Sequence, residues 1–310
     1  MRGIGAAISR IEEDAGDLLV LDQEAVLRSV LRAAEVFFLD TGFFARLALM
    51  ETDVYLPEDD FAFVLTELVL YELADVDTMQ LKTGIKTFLG RMHEDGKKVL
   101  VLKEKSLVEG LGSYITKSTA AWNGDFISDL QMNKASLTKL AEIVSSPDFV
   151  YRNVLENGYN VPTTRDFIVD FFEELFEGKT GKDSLAEELI IIVILILMKL
   201  PRGGKMYYCS HDHASIARFN KALQNTYSNG ENLPKAVTML SYLSFLVEGG
   251  VLKLDDCEAL SESLRRAYGS GIKVAEVGDL PAQAVTAELS PKKLAEGLLS
   301  GKRYILILKA

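Results

Sequence analysis

Four carboxylates fall where an α/β sheet would gather them: Asp40, Glu72, Asp183 and Asp212. Asp40 ends the apolar run 36–40 (VFFLD), and Glu72 lies six residues beyond the run 61–66 (FAFVLT). Asp212 comes two residues after 206–210 (MYYCS), and Asp183 opens the helical pattern that feeds that run. Carboxylates brought this close repel one another unless a positive group sits among them. A hard divalent cation, Mg²⁺ or Mn²⁺, takes oxygen ligands and leaves coordination positions open for substrate. Such an ion polarises a phosphoryl oxygen and lowers the pKa of a bound water, so the chemistry expected is phosphodiester hydrolysis. Thr41, Glu187 and Ser210 stand beside these acids in sequence and are the candidates to orient them. Each acid also has a plain structural reading: Asp40 and Asp183 as helix caps, Asp212 as a loop acid, Glu72 as a solvated helical acid.

The elements that must position these acids follow from the hydrophobic pattern. Short apolar runs bounded by turn signals suit buried parallel strands. They occur at 36–40, 61–66, 97–102 and 206–210, with a fifth at 271–277 and a last one at 303–308. Helical spacing fills the gaps, notably 23–35, 43–50, 213–225, 234–247 and 256–268. Alternation of this kind predicts an α/β fold with a parallel sheet, whose sites lie at the carboxyl ends of the strands. Between 104 and 180 the alternation lapses into helical pieces broken by glycines. The expected division is therefore an N-terminal helical segment (1–35), a core in two parts (36–103 and 181–280), a helical insertion (104–180) and a C-terminal extension (281–310).

The segments VFFLDTGFF, VLTELVLYEL, KDSLAEELII and YYCSHD resemble, in order, the acidic motifs of PIN-domain nucleases. That family has a strand ending in Asp, a strand followed by Ser/Thr and then a Glu-Leu pair, matched here by Thr66, Glu72 and Leu73. An Asp opening a long apolar helix and a strand ending in Ser/Thr-x-Asp complete the set, matched by Asp183 and by Ser210-His211-Asp212. The resemblance covers roughly 36–102 and 181–277, and leaves out the insertion and the tail. It implies a PIN-like, three-layer α/β/α core and metal-dependent cleavage, usually of RNA.

Composition sets limits on the partners. Net charge is −11, with 45 acidic and 34 basic residues, which argues against coating nucleic acid by bulk attraction. A local basic groove is still compatible with that balance, and Lys205, Arg218 and Lys117 are its candidates. Lys134 and Lys139, with Trp122 as a stacking surface, would extend a single-strand path across the insertion. The same insertion is the expected surface for a protein partner or a second copy. Cys209 and Cys257 form no metal or disulfide motif, and His211 with His213 lacks a further zinc ligand nearby. The N-terminus is too weakly apolar for a signal peptide. The run 189–198 covers ten residues where a membrane span needs about 20, so a cytoplasmic protein with no membrane partner is expected. A catalytically silent PIN-like interaction module is the competing reading. A HAD-type phosphatase is disfavoured, because Gly42 stands where that family's second Asp would be.

Overall fold

The computed structural model describes residues 3–50, 56–57, 60–107, 119–157, 162–163, 166–181, 183–200, 203–227, 233–277 and 285–307. Its centre is a six-stranded, all-parallel sheet. The strands are β1 (Leu19–Val20), β2 (Glu35–Leu39), β3 (Phe61–Thr66), β4 (Val99–Leu102), β5 (Lys205–Cys209) and β6 (Lys235–Val237), in the order β1-β4-β3-β2-β5-β6. From β2 the chain builds outward through β3 and β4 on one side, then returns to add β5 and β6 on the other. The direction of winding reverses between β2 and β5, which makes the crevice beyond Leu39 and Cys209 the topological switch point.

Buried apolar runs make this sheet. Val36, Phe37, Phe38 and Leu39 are all buried, as parallel strands covered on both faces require. Phe37 stacks on Tyr207 of the neighbouring strand at 4.8 Å between centroids and meets Phe63 edge-on at 5.7 Å. Burying one such side chain contributes about 1.5–3 kcal/mol. Gly204, entering β5, has no room for a side chain: a Cβ there would lie 1.9 Å from the Ala33 carbonyl oxygen. That close approach lets β5 start level with β2.

Helices connect the strands. Before and between the first four run α1 (Ile4–Ala15), α2 (Gln23–Arg32), α3 (Thr41–Met50), α4 (Glu67–Leu73) and α5 (Thr83–Glu94). The stretch expected as an insertion is helical where described, with α6 (Thr119–Asn133), α7 (Thr138–Val144), α8 (Arg152–Asn157) and α9 (Asp166–Glu177). Its buried residues join the same hydrophobic cluster as the sheet, so it shares the core rather than forming its own. The very apolar α10 (Leu185–Leu197) is buried along nearly its whole length, as a core helix should be. No helix among the described residues is long and apolar enough to cross a membrane. After β5 come α11 (His213–Thr226), α12 (Met239–Glu248), α13 (Cys257–Tyr268) and α14 (Pro291–Leu299).

The fold departs from the sequence expectation in three places. Residues 235–237 open no helix; they form β6, a three-residue edge strand too short to show periodicity. The two-residue β1 at the other edge went unseen for the same reason. The expected fifth strand is real but does not join the parallel sheet: β7 (Ile272–Glu276) pairs antiparallel with β8 (Val285–Leu289) and β9 (Tyr304–Leu306). The core's second part therefore ends before β7, and β7, β8 and β9 build a separate three-stranded sheet, with α14 between β8 and β9.

Candidate functional site

Asp40 immediately follows β2 at the switch point, one residue beyond the strand it was expected to end. It is 3 % exposed, and its backbone amide bonds the Cys209 carbonyl at 3.0 Å across the β2–β5 gap. Its carboxylate accepts from the Phe43 amide and so caps α3. Burial pushes the Asp40 carboxyl up to about 6, against the Ser210 hydroxyl and the Phe43 and His211 amides, and the Asp212 charge adds to the rise.

The other acids approach from the elements around it. Glu72, in the last turn of α4, accepts from the Thr41 hydroxyl. Asp183 precedes α10 and accepts from the Thr180 amide at 2.7 Å and the Leu185 amide at 3.1 Å. Asp212 caps α11 through the Ala214 amide at 2.9 Å, and its own amide bonds the Ser210 hydroxyl at 3.0 Å. Asp40 and Asp183 thus accept from the first amides of their helices, as the plain reading expected, while Asp212, expected as a loop acid, caps α11 instead. Each helix start carries partial positive charge and favours anionic groups.

Glu187, four residues after Asp183, lines the same cavity. Burial pushes its carboxyl up to about 7, with the Glu72 and Asp40 charges contributing and Arg218 opposing. Its Oε2 is buried without a hydrogen-bond partner.

Thr41, Glu72, Asp183, Glu187 and Asp212 line one cavity of about 860 Å³, and Asp40, the residue before Thr41, is not part of its wall. Asp75 and Asp77 add to its wall, so among the described residues six carboxylates face two ammonium groups there, those of Lys82 and Lys179. Among the described residues, no three His, Cys, Asp or Glu groups close into a ready-made metal shell. Between two of the acids sits Lys179, which sequence reasoning passed over. Its ammonium lies 2.7 Å from Glu72 and 2.9 Å from Asp183, with its side chain 1 % exposed. Burial lowers its pKa, but the Glu72 and Asp183 carboxylates outweigh that and raise it. Burial likewise pushes the Asp183 carboxyl up, yet the Thr180 amide, Lys179 and the Leu185 amide together hold it below its usual range. The spacing of Lys179 and Asp183, i and i+4, was the one signal of this contact in the sequence.

Sequence reasoning also missed Glu188. It is fully buried and points away from the cavity, accepting from the Ser184 hydroxyl at 2.9 Å and the Lys139 and Leu140 amides at 3.1 and 2.8 Å. It thereby caps α7 and ties 104–180 to α10. Arg218 lies between it and Asp212, at 3.9 and 3.5 Å.

Several expected contributors lie elsewhere. Lys205 is exposed at the amino end of β5, paired in register with Glu35, so about 16 Å of strand separates it from Ser210. Lys97 and Lys98 line a second cavity at that same opposite edge. Trp122 is buried and offers no stacking surface. Lys117 falls outside the described residues. The His211 ring is buried against Phe43 and Tyr268, and burial, with Arg46 and His213, depresses its pKa to about 3. The His213 ring bonds the Leu306 carbonyl at 2.9 Å, so the two imidazoles serve different contacts.

Compared with known proteins, the chain matches no family model, no curated protein and no solved structure.

Proposed function

We propose that this chain is a cytoplasmic, PIN-like, metal-dependent nuclease that hydrolyses phosphodiester bonds, RNA being the expected substrate. One observation carries the reading: a cavity at the switch point walled by Glu72, Asp183, Glu187 and Asp212, in which the Glu187 Oε2 has no hydrogen-bond partner. A polyanion does not enter such a cavity unless cations enter with it. Mg²⁺ suits these residues, because it keeps several waters and needs only one or two protein carboxylates alongside substrate phosphates. Asp40 and Glu187 would hold the ion, with Asp212 at the rim. When bound, the ion supplies a polarised phosphoryl oxygen and a more acidic water. The converging starts of α3, α10 and α11 favour a phosphate group at the same place. Ser210 steadies Asp40, and Arg218 is within reach of a phosphate beside Asp212.

The second reading is a silent PIN-like module whose acidic cavity receives a basic side chain of a protein partner or a second copy. The observation that favours it is Lys179, which already neutralises two of the acids. Labelled single-stranded RNA and DNA, incubated with the protein and Mn²⁺ or EDTA, separate the two readings. The nuclease reading expects cleavage that needs the metal and is lost in Asp40→Asn with folding retained. Intact substrate at millimolar Mn²⁺ would leave the interaction module.

A further inference from the structure

The amino edge of the parallel sheet, opposite the carboxylate cavity, holds a recess of the other sign. It has a volume of about 470 Å³ and lies between the end of α2 and the turn that leads from α5 into β4. Arg28, Arg32, Lys97 and Lys98 line it, and Asp60 is the one acid in its wall among the described residues.

Local structure places these charges. Arg28 and Arg32 stand four residues apart and share a face of α2, a spacing at which like charges repel. Glu24, one turn earlier, pairs with Arg28 at 2.5 Å. Gly96 takes φ +70°, a left-handed conformation that ends α5 and brings Lys97 and Lys98 to the recess. The Lys97 ammonium lies over the Phe61 ring, 5.2 Å from its centroid, which holds it without a carboxylate. Among the described residues, Arg32, Lys97 and Lys98 form no ion pair. α2 and α5 both end here, and a helix end attracts cations, but each end amounts to only about half a charge. Three unpaired cations therefore exceed what the two helix ends and Asp60 offset, in a chain whose net charge is −11.

We propose that this recess binds a small polyphosphate anion, such as pyrophosphate or the phosphate tail of a nucleoside diphosphate or triphosphate. The site is separate from the carboxylate cavity and does not depend on the nuclease reading. Arg32 offers a planar fork to two phosphoryl oxygens, and Lys98 a point charge. The volume falls in the range of about 300–1,000 Å³ usual for organic ligands, which is more than a lone phosphate needs. A multiply charged ligand also relieves the repulsion within both basic pairs at once. A nucleic-acid strand is disfavoured, because it would run on past the recess over the surface of an acidic chain.

Titration calorimetry with pyrophosphate, ATP and inorganic phosphate tests the site, in EDTA so that no divalent metal carries the ligand to the carboxylate cavity. Pyrophosphate and ATP are expected to bind more tightly than phosphate, and the double variant Arg32→Gln with Lys98→Gln to bind them at least about tenfold more weakly. Both of those side chains are exposed, so Tm should stay where it is. Lys205→Gln, at the same edge but outside the recess wall, should leave the affinity unchanged. If the double variant does not fold, Lys98→Gln alone should weaken binding by about threefold or more. No binding of pyrophosphate or ATP up to about 10 mM, or equal affinity in wild type and variant, would overturn the proposal. So would a single-stranded RNA that binds through Arg32 and Lys98 where pyrophosphate does not, since the recess would then be part of a strand path.

Discussion

The backbone amide of Glu67 donates to the Glu104 carboxylate at 2.9 Å, at a point beyond β3 and β4 where both side chains are buried. Glu67 Oε2 and Glu104 Oε1 have no hydrogen-bond partner there. Burial pushes Glu104 up to about 8, with the Glu67 charge adding to it, and Glu67 is raised by burial in turn. Lys103 and Lys105 oppose the rise at Glu67, while Glu12 supports it. Raised to about 8, the Glu104 carboxyl therefore holds its proton over the neutral range.

That proton makes stability fall as pH rises. The folded chain keeps it up to about pH 8, whereas the unfolded chain releases it near the ordinary value of 4.5. Between those limits the folded state binds more protons, so its advantage is full below about 4.5 and has gone once pH passes about 8. Asp40 and Glu187, raised to about 6 and about 7, act in the same direction over narrower windows. Glu104→Gln is expected to melt like wild type at pH 5 and distinctly higher at pH 8.5. Each tenfold difference in proton affinity is worth about 1.4 kcal/mol. Melting curves across that range check it, and parallel curves for the two proteins would refute a proton held by Glu104.

Divalent metal should stabilise the chain only when its proposed ligands are ionised. At pH 8 Asp40 and Glu187 are both charged, and millimolar Mn²⁺ is expected to stabilise the fold by mass action, by about 2.7 kcal/mol at a hundred times Kd, seen as a rise in Tm. At pH 5 both carry protons, and the shift should vanish. Asp40→Asn and Glu187→Gln should each remove most of it at pH 8. A shift of equal size at the two pH values would point to binding elsewhere.

Removing the Glu188 carboxylate should loosen α7 without touching the cavity. Glu188→Ala leaves the Lys139 and Leu140 amides without their acceptor and Arg218 with one acidic neighbour fewer. Hydrogen bonds to a charged group contribute about 1.5–3 kcal/mol, so a loss of that order is expected in urea unfolding. Hydrogen exchange at 138–144 should quicken while amides of β2 and β5 keep their protection.

Gly204→Ala is expected to be far more damaging than its single methyl suggests. The new Cβ would meet the Ala33 carbonyl at 1.9 Å, and neither backbone can yield without shifting β5 against β2. A cost above about 3 kcal/mol, or an insoluble product, is the expected outcome. The comparison is Gly203→Ala, where a Cβ meets nothing within 4 Å.

Much of this protein was legible from local pattern. The runs at 36–40, 61–66 and 206–210 became β2, β3 and β5, because a contiguous apolar stretch between turn signals has few other ways to bury itself. Helix starts at Asp183 and Asp212 followed from side chains that accept their own backbone amides, a contact set within three residues. That Glu72, Asp183 and Asp212 would line one cavity was implied too, since strand ends in a parallel sheet all face the same way. What tertiary structure alone decided was which charges meet. Lys179 reaches Glu72 across 107 residues, a distance at which sequence spacing carries no information. Glu188 and Glu187 are adjacent on α10, yet one caps α7 and the other faces the cavity, because successive helical residues point about 100° apart and only packing says what lies in each direction. Strands of two or three residues, β1 and β6, were likewise beyond reach, being ordered by the neighbour they pair with and not by their own composition.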